Sequence, residues 1–333
     1  MKAGKALRLS LLAAVAVTTA AIGVTNAQAE ALRDKWCSNV HIRFFVGGAE
    51  GDAFGTIVYN GAVQAAHDLG AKVDYVFSGW DQNIMTQQLR EAIAAKPDGI
   101  AMMGHPGNAA IMPLAEQASK AGIKMIYQNV AVNDVTAKFG GAYVGAQLQP
   151  QGEALGQEAI RRFGLKSGDL AIVMGGWAQV ERSQRELGTA DALEKAGVKV
   201  VKLDVTGTAG DPNTAIPIIT AAIAANPTVK MIVYPGGQLL GNVPTYMKAA
   251  GKKPGDIISI GFDTSPQVIE AFKGGWVQLT SDQQPFQQGY IPILSLCEQV
   301  VYGLGGMNVD TGAGFVTPDN YKAVADLATQ SLR

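Results

Sequence analysis

Apolar positions along the chain fall into two alternating kinds of run. Short β-rich runs, "HIRFFV", "KVDYVF", "GIAMMG" and "KMIYQN", then "DLAIVMGG", "VKVVKLDV", "KMIVYP" and "IISIGF", read as strands. Between them lie longer amphipathic stretches such as "TIVYNGAVQAAHDLG", "NIMTQQLREAIAAKPDG", "IMPLAEQASKAG" and "QGEALGQEAIRRFG", several closed by the glycine that suits a helix end. Regular alternation predicts α/β architecture with parallel sheets flanked by helices on both faces.

A repeat divides the pattern in two. "AIAAKPDGIAMMGHPGNA" from Ala92 echoes "AIAANPTVKMIVYPGGQL" from Ala222, with Pro97 matching Pro227 and Pro106 matching Pro235 across a single-residue gap. Two Rossmann-like lobes are the natural reading, since about 300 residues exceed what one core usually organises. Ligands of open parallel sheets sit outside the carboxyl ends of the strands. Facing lobes would therefore share one cleft, with His105 and Tyr234 opposed across it.

Composition narrows the classes. Lys2, Lys5 and Arg8, an uncharged stretch to Val24 and "NAQA" before Glu30 form a secretory signal over 1–29, cleaved near Ala29–Glu30. No later stretch reaches the length of a membrane span. Lys and Arg number 27 against 28 Asp and Glu, without a basic run, so nucleic acid is not an expected partner. Cys37 and Cys297 either pair in an oxidising compartment or stay buried.

The glycine-rich "FFVGGAEGDAFGT" over 44–56 is no nucleotide loop. It lacks both G-x-G-x-x-G and G-K-[ST] spacing, and Glu50 and Asp52 would repel phosphate. Asp52 and Phe54 instead suit a hydroxylated ligand, a carboxylate for hydroxyls and a ring face for C–H surfaces; helix cap and core residue are the alternative roles. There is no G-x-S-x-G, H-E-x-x-H or C-x-x-C, and three histidines supply the only imidazoles. His67 belongs on a helix surface, His41 far from the cleft, and His105 beside it. Trp177 follows the "DLAIVM" strand, and Arg182 and Arg185 enter the next helix, where positive charge opposes the helix dipole unless it serves a ligand. Asp263 and Gln283 follow later strands.

With these residues in place, the chain resembles a type I periplasmic substrate-binding protein of the ribose-binding kind, serving an ABC sugar importer. The resemblance covers essentially the whole mature chain and rests on "ISIGFD", "QRELG", "YVGAQ" and the Gln283-x-Pro285-x-x-x-Gly289 pattern. It implies two lobes joined by a three-segment hinge, assigned as 30–145 with 284–310 and 146–283 with 311–333, and a ligand cleft between them. It implies ligand contacts from Asp52, Phe54, Asn129, Arg185, Asp263 and Gln283, with Arg182 as the alternative to Arg185. Departures from the family pattern at Asn129, Val130, "HPGN" and "YPGGQLLG" remove polar contacts, while His105 and Trp177 are candidate gains. The expected ligand is thus a neutral monosaccharide or sugar alcohol other than ribose, with no cofactor or metal. A membrane permease is the partner, and the protein is a monomer in the periplasm. A sensory ligand-binding role and a secreted enzyme on the same scaffold are the competing classes. Placing Cys37 and Cys297 in one lobe, the resemblance also favours their pairing.

Overall fold

The computed structural model describes residues 34–312 and 314–333; the export signal expected over 1–29 lies outside the described residues. Two six-stranded sheets carry the fold. The first contains β1 (His41–Phe45), β2 (Lys72–Val76), β3 (Gly99–Met103), β4 (Lys124–Gln128), β5 (Tyr143–Gly145) and β11 (Val309–Asp310). The second contains β6 (Leu170–Gly175), β7 (Lys199–Asp204), β8 (Val229–Tyr234), β9 (Ile258–Phe262), β10 (Leu279–Ser281) and β12 (Phe315–Val316).

All eight β-rich runs named from the sequence are strands. The sheets have orders β11-β5-β4-β3-β1-β2 and β12-β10-β9-β8-β6-β7, the same path traced twice. β3 and β8, the strands inside the sequence repeat, occupy equivalent positions. Pairing is parallel throughout except at β12, which runs antiparallel to β10. That edge pairing is only two residues long, too short for a period-2 signal, and the expectation of wholly parallel sheets is corrected there. The chain crosses between sheets after β5, after β10 and after β11.

Central strands are buried on both faces; every residue of β3 is inaccessible. Helices cover them, and in each half two helices approach with backbone against backbone. Gly61 of the Ala53–Leu69 helix abuts the Phe286 carbonyl, and Gly289 of the Pro285–Val301 helix abuts that of Val58. Gly152 abuts the Arg185 carbonyl, and Gly188 that of Gln149, in the equivalent helix pair of the second half. A Cβ at any of these four would collide with backbone, which explains the glycines of "QRELG" and of the Gln283–Gly289 motif.

Cys37 and Cys297 form a disulfide with a Cα separation of 5.6 Å. It fastens the segment before β1 to the Pro285–Val301 helix, across 260 residues of sequence. Closing so long a loop restricts the unfolded chain most, and removing such a link typically costs about 2–5 kcal/mol. Cys37→Ser with Cys297→Ser should lower the thermal midpoint by several degrees. The unreduced wild type should show no reactive thiol in a denaturing thiol titration, and two after reduction.

Candidate functional site

The carboxyl ends of the two sheets face each other across a cavity of about 410 Å³. Phe54, Trp80, His105 and Asn129 line it from the first half; Arg182, Arg185, Gln238, Asp263 and Gln283 line it from the second and the adjoining hinge segment. The loop 205–210 completes the wall.

Asp52 organises the first half. It caps the Ala53–Leu69 helix by accepting from the Phe54 and Gly55 amides at 3.1 and 2.6 Å. Its other oxygen accepts the Trp80 indole N–H at 3.0 Å and the Gln238 side-chain amide, also at 3.0 Å. Burial raises the Asp52 pKa above its ordinary 3.8, opposed by the bonds from Trp80, Gly55, Gln238 and Phe54. The cap role and the site role thus coincide, although Asp52 itself does not line the main cavity. Phe54, 2% exposed, does, and packs 5.9 Å from the Trp80 ring.

Trp80, absent from the sequence-derived set, is the principal aromatic surface of the cleft. Its backbone sits at φ 63°, a strained region for a bulky residue, and its ring lies 5.1 Å from that of His105. The signal was present: an aromatic in the "SGWDQ" segment just after β2. His105 is buried at the cleft wall, where burial and then the Arg182 and Arg185 charges hold its pKa well below the usual imidazole range, leaving it neutral.

Arg185 is 3% exposed and stacks 4.5 Å from the Phe262 ring. It donates to Glu186 Oε1 at 3.2 Å and to the Pro235 carbonyl, and lies 4.0 Å from Asp263. Arg182 reaches the same two acceptors at 2.8 and 2.9 Å. Both arginines therefore enter the cleft, so they are not alternatives as the sequence reading had them. Asp263, at φ 74°, accepts from the Gly237 amide at 3.0 Å and from Gln283 Nε2 at 2.5 Å. Gln283 in turn accepts from Asn129 at 3.3 Å and from Gln288 at 3.0 Å. A continuous polar chain thus runs from Arg185 through Asp263 and Gln283 to Asn129, along the hinge.

Besides Asp52, two expected residues lie off the main cavity. Trp177 does not line the cavity, because its indole donates to the Leu203 carbonyl at 3.1 Å and its ring lies against the second sheet's core with Lys202 5.5 Å away. Tyr234 is fully buried and stacks on Tyr246 at 6.2 Å, so it does not oppose His105; the next residue, Pro235, reaches the cleft instead. Outside the site, His41 pairs with Asp74 at 2.8 Å, and His67 is exposed.

Two of the contacts between the halves are reciprocal and lie at the cleft rims. Gln238, after β8, reaches Asp52, after β1. Asn108, after β3, donates its amide at 3.2 Å to Glu181, after β6. In the equivalent sheets, each contact joins the repeat's exit loop to the first strand's exit loop of the opposite half.

A family model described as periplasmic binding protein domain matches residues 43–303. A xylose/arabinose-binding protein of Sulfolobus acidocaldarius is 26% identical over 260 residues, which is 72% of this chain and 61% of that protein. A carbohydrate transporter structure from Acidothermus cellulolyticus in complex with myo-inositol is 26% identical, covering 88% of this chain and 99% of its own, with a TM-score of 0.76. A carbohydrate transporter solute-binding protein from Agrobacterium radiobacter, in complex with D-arabinose, is 25% identical with coverages of 87% and 98% and a TM-score of 0.75. The chain spans about three fifths of the length of the curated relatives it matches. These relatives are named as binding and transport proteins.

Protonating Asp52 would place a donor among four donors, so acidification should disturb Trp80. Its fluorescence should change with a midpoint above 3.8, and Asp52→Asn should abolish that transition. A transition unchanged in the variant would assign it to another group.

Proposed function

We infer the function from the family: the chain belongs to the periplasmic binding protein domain family, and we propose that it captures a small neutral sugar or polyol and delivers it to an ABC-type importer. The observation that carries this reading is that the cleft's cations are already paired. Arg182 and Arg185 face Glu186 and Asp263, and the Asp52 and Asp81 carboxylates are held by neutral donors, so no unpaired cation awaits an anionic ligand. Trp80 and Phe54 supply apolar surface for the C–H face of a ring, while Asp263, Gln283, Asn129 and neutral His105 supply donors and acceptors for hydroxyls. The relatives bound to myo-inositol and D-arabinose support this ligand class.

In this reading the lobes are 30–145 with 284–310 and 146–283 with 311–333, and they close as hinged bodies, a motion for which periplasmic binding proteins are the general example. Ligand favours closure because only the closed form presents both walls at once. The closed pair of lobes is the surface a membrane permease recognises, and the protein acts as a monomer in the periplasm without enzymatic turnover. A micromolar complex needs about −8 kcal/mol, within reach of several hydrogen bonds and aromatic cover.

Calorimetry against a panel of pentoses, hexoses, inositols and linear polyols should give stoichiometric heat for a subset, with no product by chromatography. Turnover of any panel member would sink the receptor reading. Trp80→Ala should weaken the best ligand at least tenfold and also lower the thermal midpoint, since its ring packs against the first core and its indole serves Asp52; Trp80→Phe should keep most of the packing. Arg185→Ala should abolish binding and also lower the thermal midpoint, since it leaves Asp263 without its cation while Glu186 keeps Arg182 at 2.8 Å; Asp263→Asn separates the two effects by keeping the shape.

A further inference from the structure

Gln288, at the start of the Pro285–Val301 helix, is fully buried and sits behind the cavity wall rather than on it. Its Nε2 donates to the Gln283 backbone carbonyl at 3.1 Å, with Gln283 Oε1 and Thr311 Oγ1 each 3.0 Å away. A backbone carbonyl can only accept, so this contact fixes which end of the Gln288 amide carries the hydrogens. Its Oε1 is thereby turned to Asn129, whose Nδ2 donates to it at 3.0 Å and to Gln283 Oε1 at 3.3 Å. The far end of the chain agrees, because Gln283 gives its own Nε2 to the accepting Asp263 carboxylate.

The consequence falls on Asn129. Gln288 and Gln283 take both hydrogens of its side-chain amide, and reversing that amide would set its oxygen against two acceptor oxygens. Its backbone is held too, at φ 65°, with the N–H donating to the Val144 carbonyl at 3.2 Å and the carbonyl accepting the Tyr143 hydroxyl at 3.0 Å. Asn129 lines the cavity, and among the described residues nothing donates to its Oδ1. The polar atom it has left for the cleft is therefore an acceptor. A ligand hydroxyl must meet it as a donor, whereas an ether or ring oxygen would face it with no hydrogen between them.

We propose that Gln288 is a positioning residue of the binding site: it holds the Asn129 amide with its oxygen turned to the ligand, so that this point of the cleft requires a hydroxyl that donates. The proposal rests on the sugar-capture reading for its ligand but not for its geometry, and the two are tested apart. A neutron structure of the ligand-free, deuterium-exchanged protein should show two deuterons on the Asn129 side-chain atom facing Gln288 and Gln283, and none on the atom facing the cleft. Deuterons on the cleft-facing atom would overturn the proposal whatever the protein binds. myo-Inositol and D-arabinose are then titrated calorimetrically into wild type, Gln288→Met, Asn129→Gly and the double variant, each checked for folding by its thermal midpoint; glycine suits the positive φ at 129. Gln288→Met should weaken the sugar that binds about tenfold. The double variant should be no weaker than Asn129→Gly, because Gln288 acts through Asn129. Wild-type affinity in Gln288→Met, or losses that multiply in the double variant, would reduce Gln288 to packing and overturn its positioning role. Heat from neither sugar in the wild type would count against the choice of ligand alone, with the deuteron positions still deciding the amide.

Discussion

One half-buried carboxylate holds the cleft together. Asp52 ends the turn after β1, caps the helix that follows, orients Trp80 and receives Gln238 from the opposite half. Each acceptance offsets the desolvation of the charge, and none alone would suffice for a group so enclosed. Because the same two oxygens serve all the donors, the position of the aromatic wall, the start of the helix and the contact between halves are not independent variables.

The second constraint is duplication. Two sheets with the same strand order place equivalent loops at equivalent ends, and when the halves face each other those loops meet in pairs. Gln238 on Asp52 and Asn108 on Glu181 are the two members of one such relation, near-symmetric in placement and unlike in chemistry. The first joins a side-chain amide to the half-buried Asp52 carboxylate, which also takes three other donors. The second joins the Asn108 backbone N–H, with its side-chain amide at 3.5 Å, to the equally half-buried Glu181.

Strands and halves were legible because β-rich runs and the Ala92/Ala222 echo survive in one dimension. The site was legible only where a residue's place after a strand fixes its direction, as for Asp263, Arg185 and Gln283. It failed where a side chain had a choice of partners. Trp177 and Trp80 both follow strands, yet the Leu203 carbonyl captures the first indole while Asp52 captures the second. Tyr234 was misjudged by a single position: the last strand residue points into the core and Pro235 turns outward. The very short β11 and β12 left no pattern to read, and their pairings come from the crossing of the chain between sheets.

Strain and charge converge on the same loops. Trp80, Asn129 and Asp263 line the cleft at positive φ, and Gln284 shares that conformation at the hinge. Asn and Asp bear the left-handed region with little cost, whereas Trp and Gln do not. At Trp80 the cost is offset by the indole bond to Asp52 and the ring contacts with Phe54 and His105; at Gln284, by its amide N–H donating to Asp282 at 2.9 Å and its side chain to the Thr311 carbonyl at 3.1 Å. Those compensating bonds end in different segments, Trp80's within the first half and Gln284's between two hinge crossings. The strained residues are thus clamped locally, and the polar chain from Arg185 to Asn129 spans them without being asked to hold them. A ligand that displaces water along that chain meets groups already oriented, which is the condition under which hydrogen bonds add most to affinity.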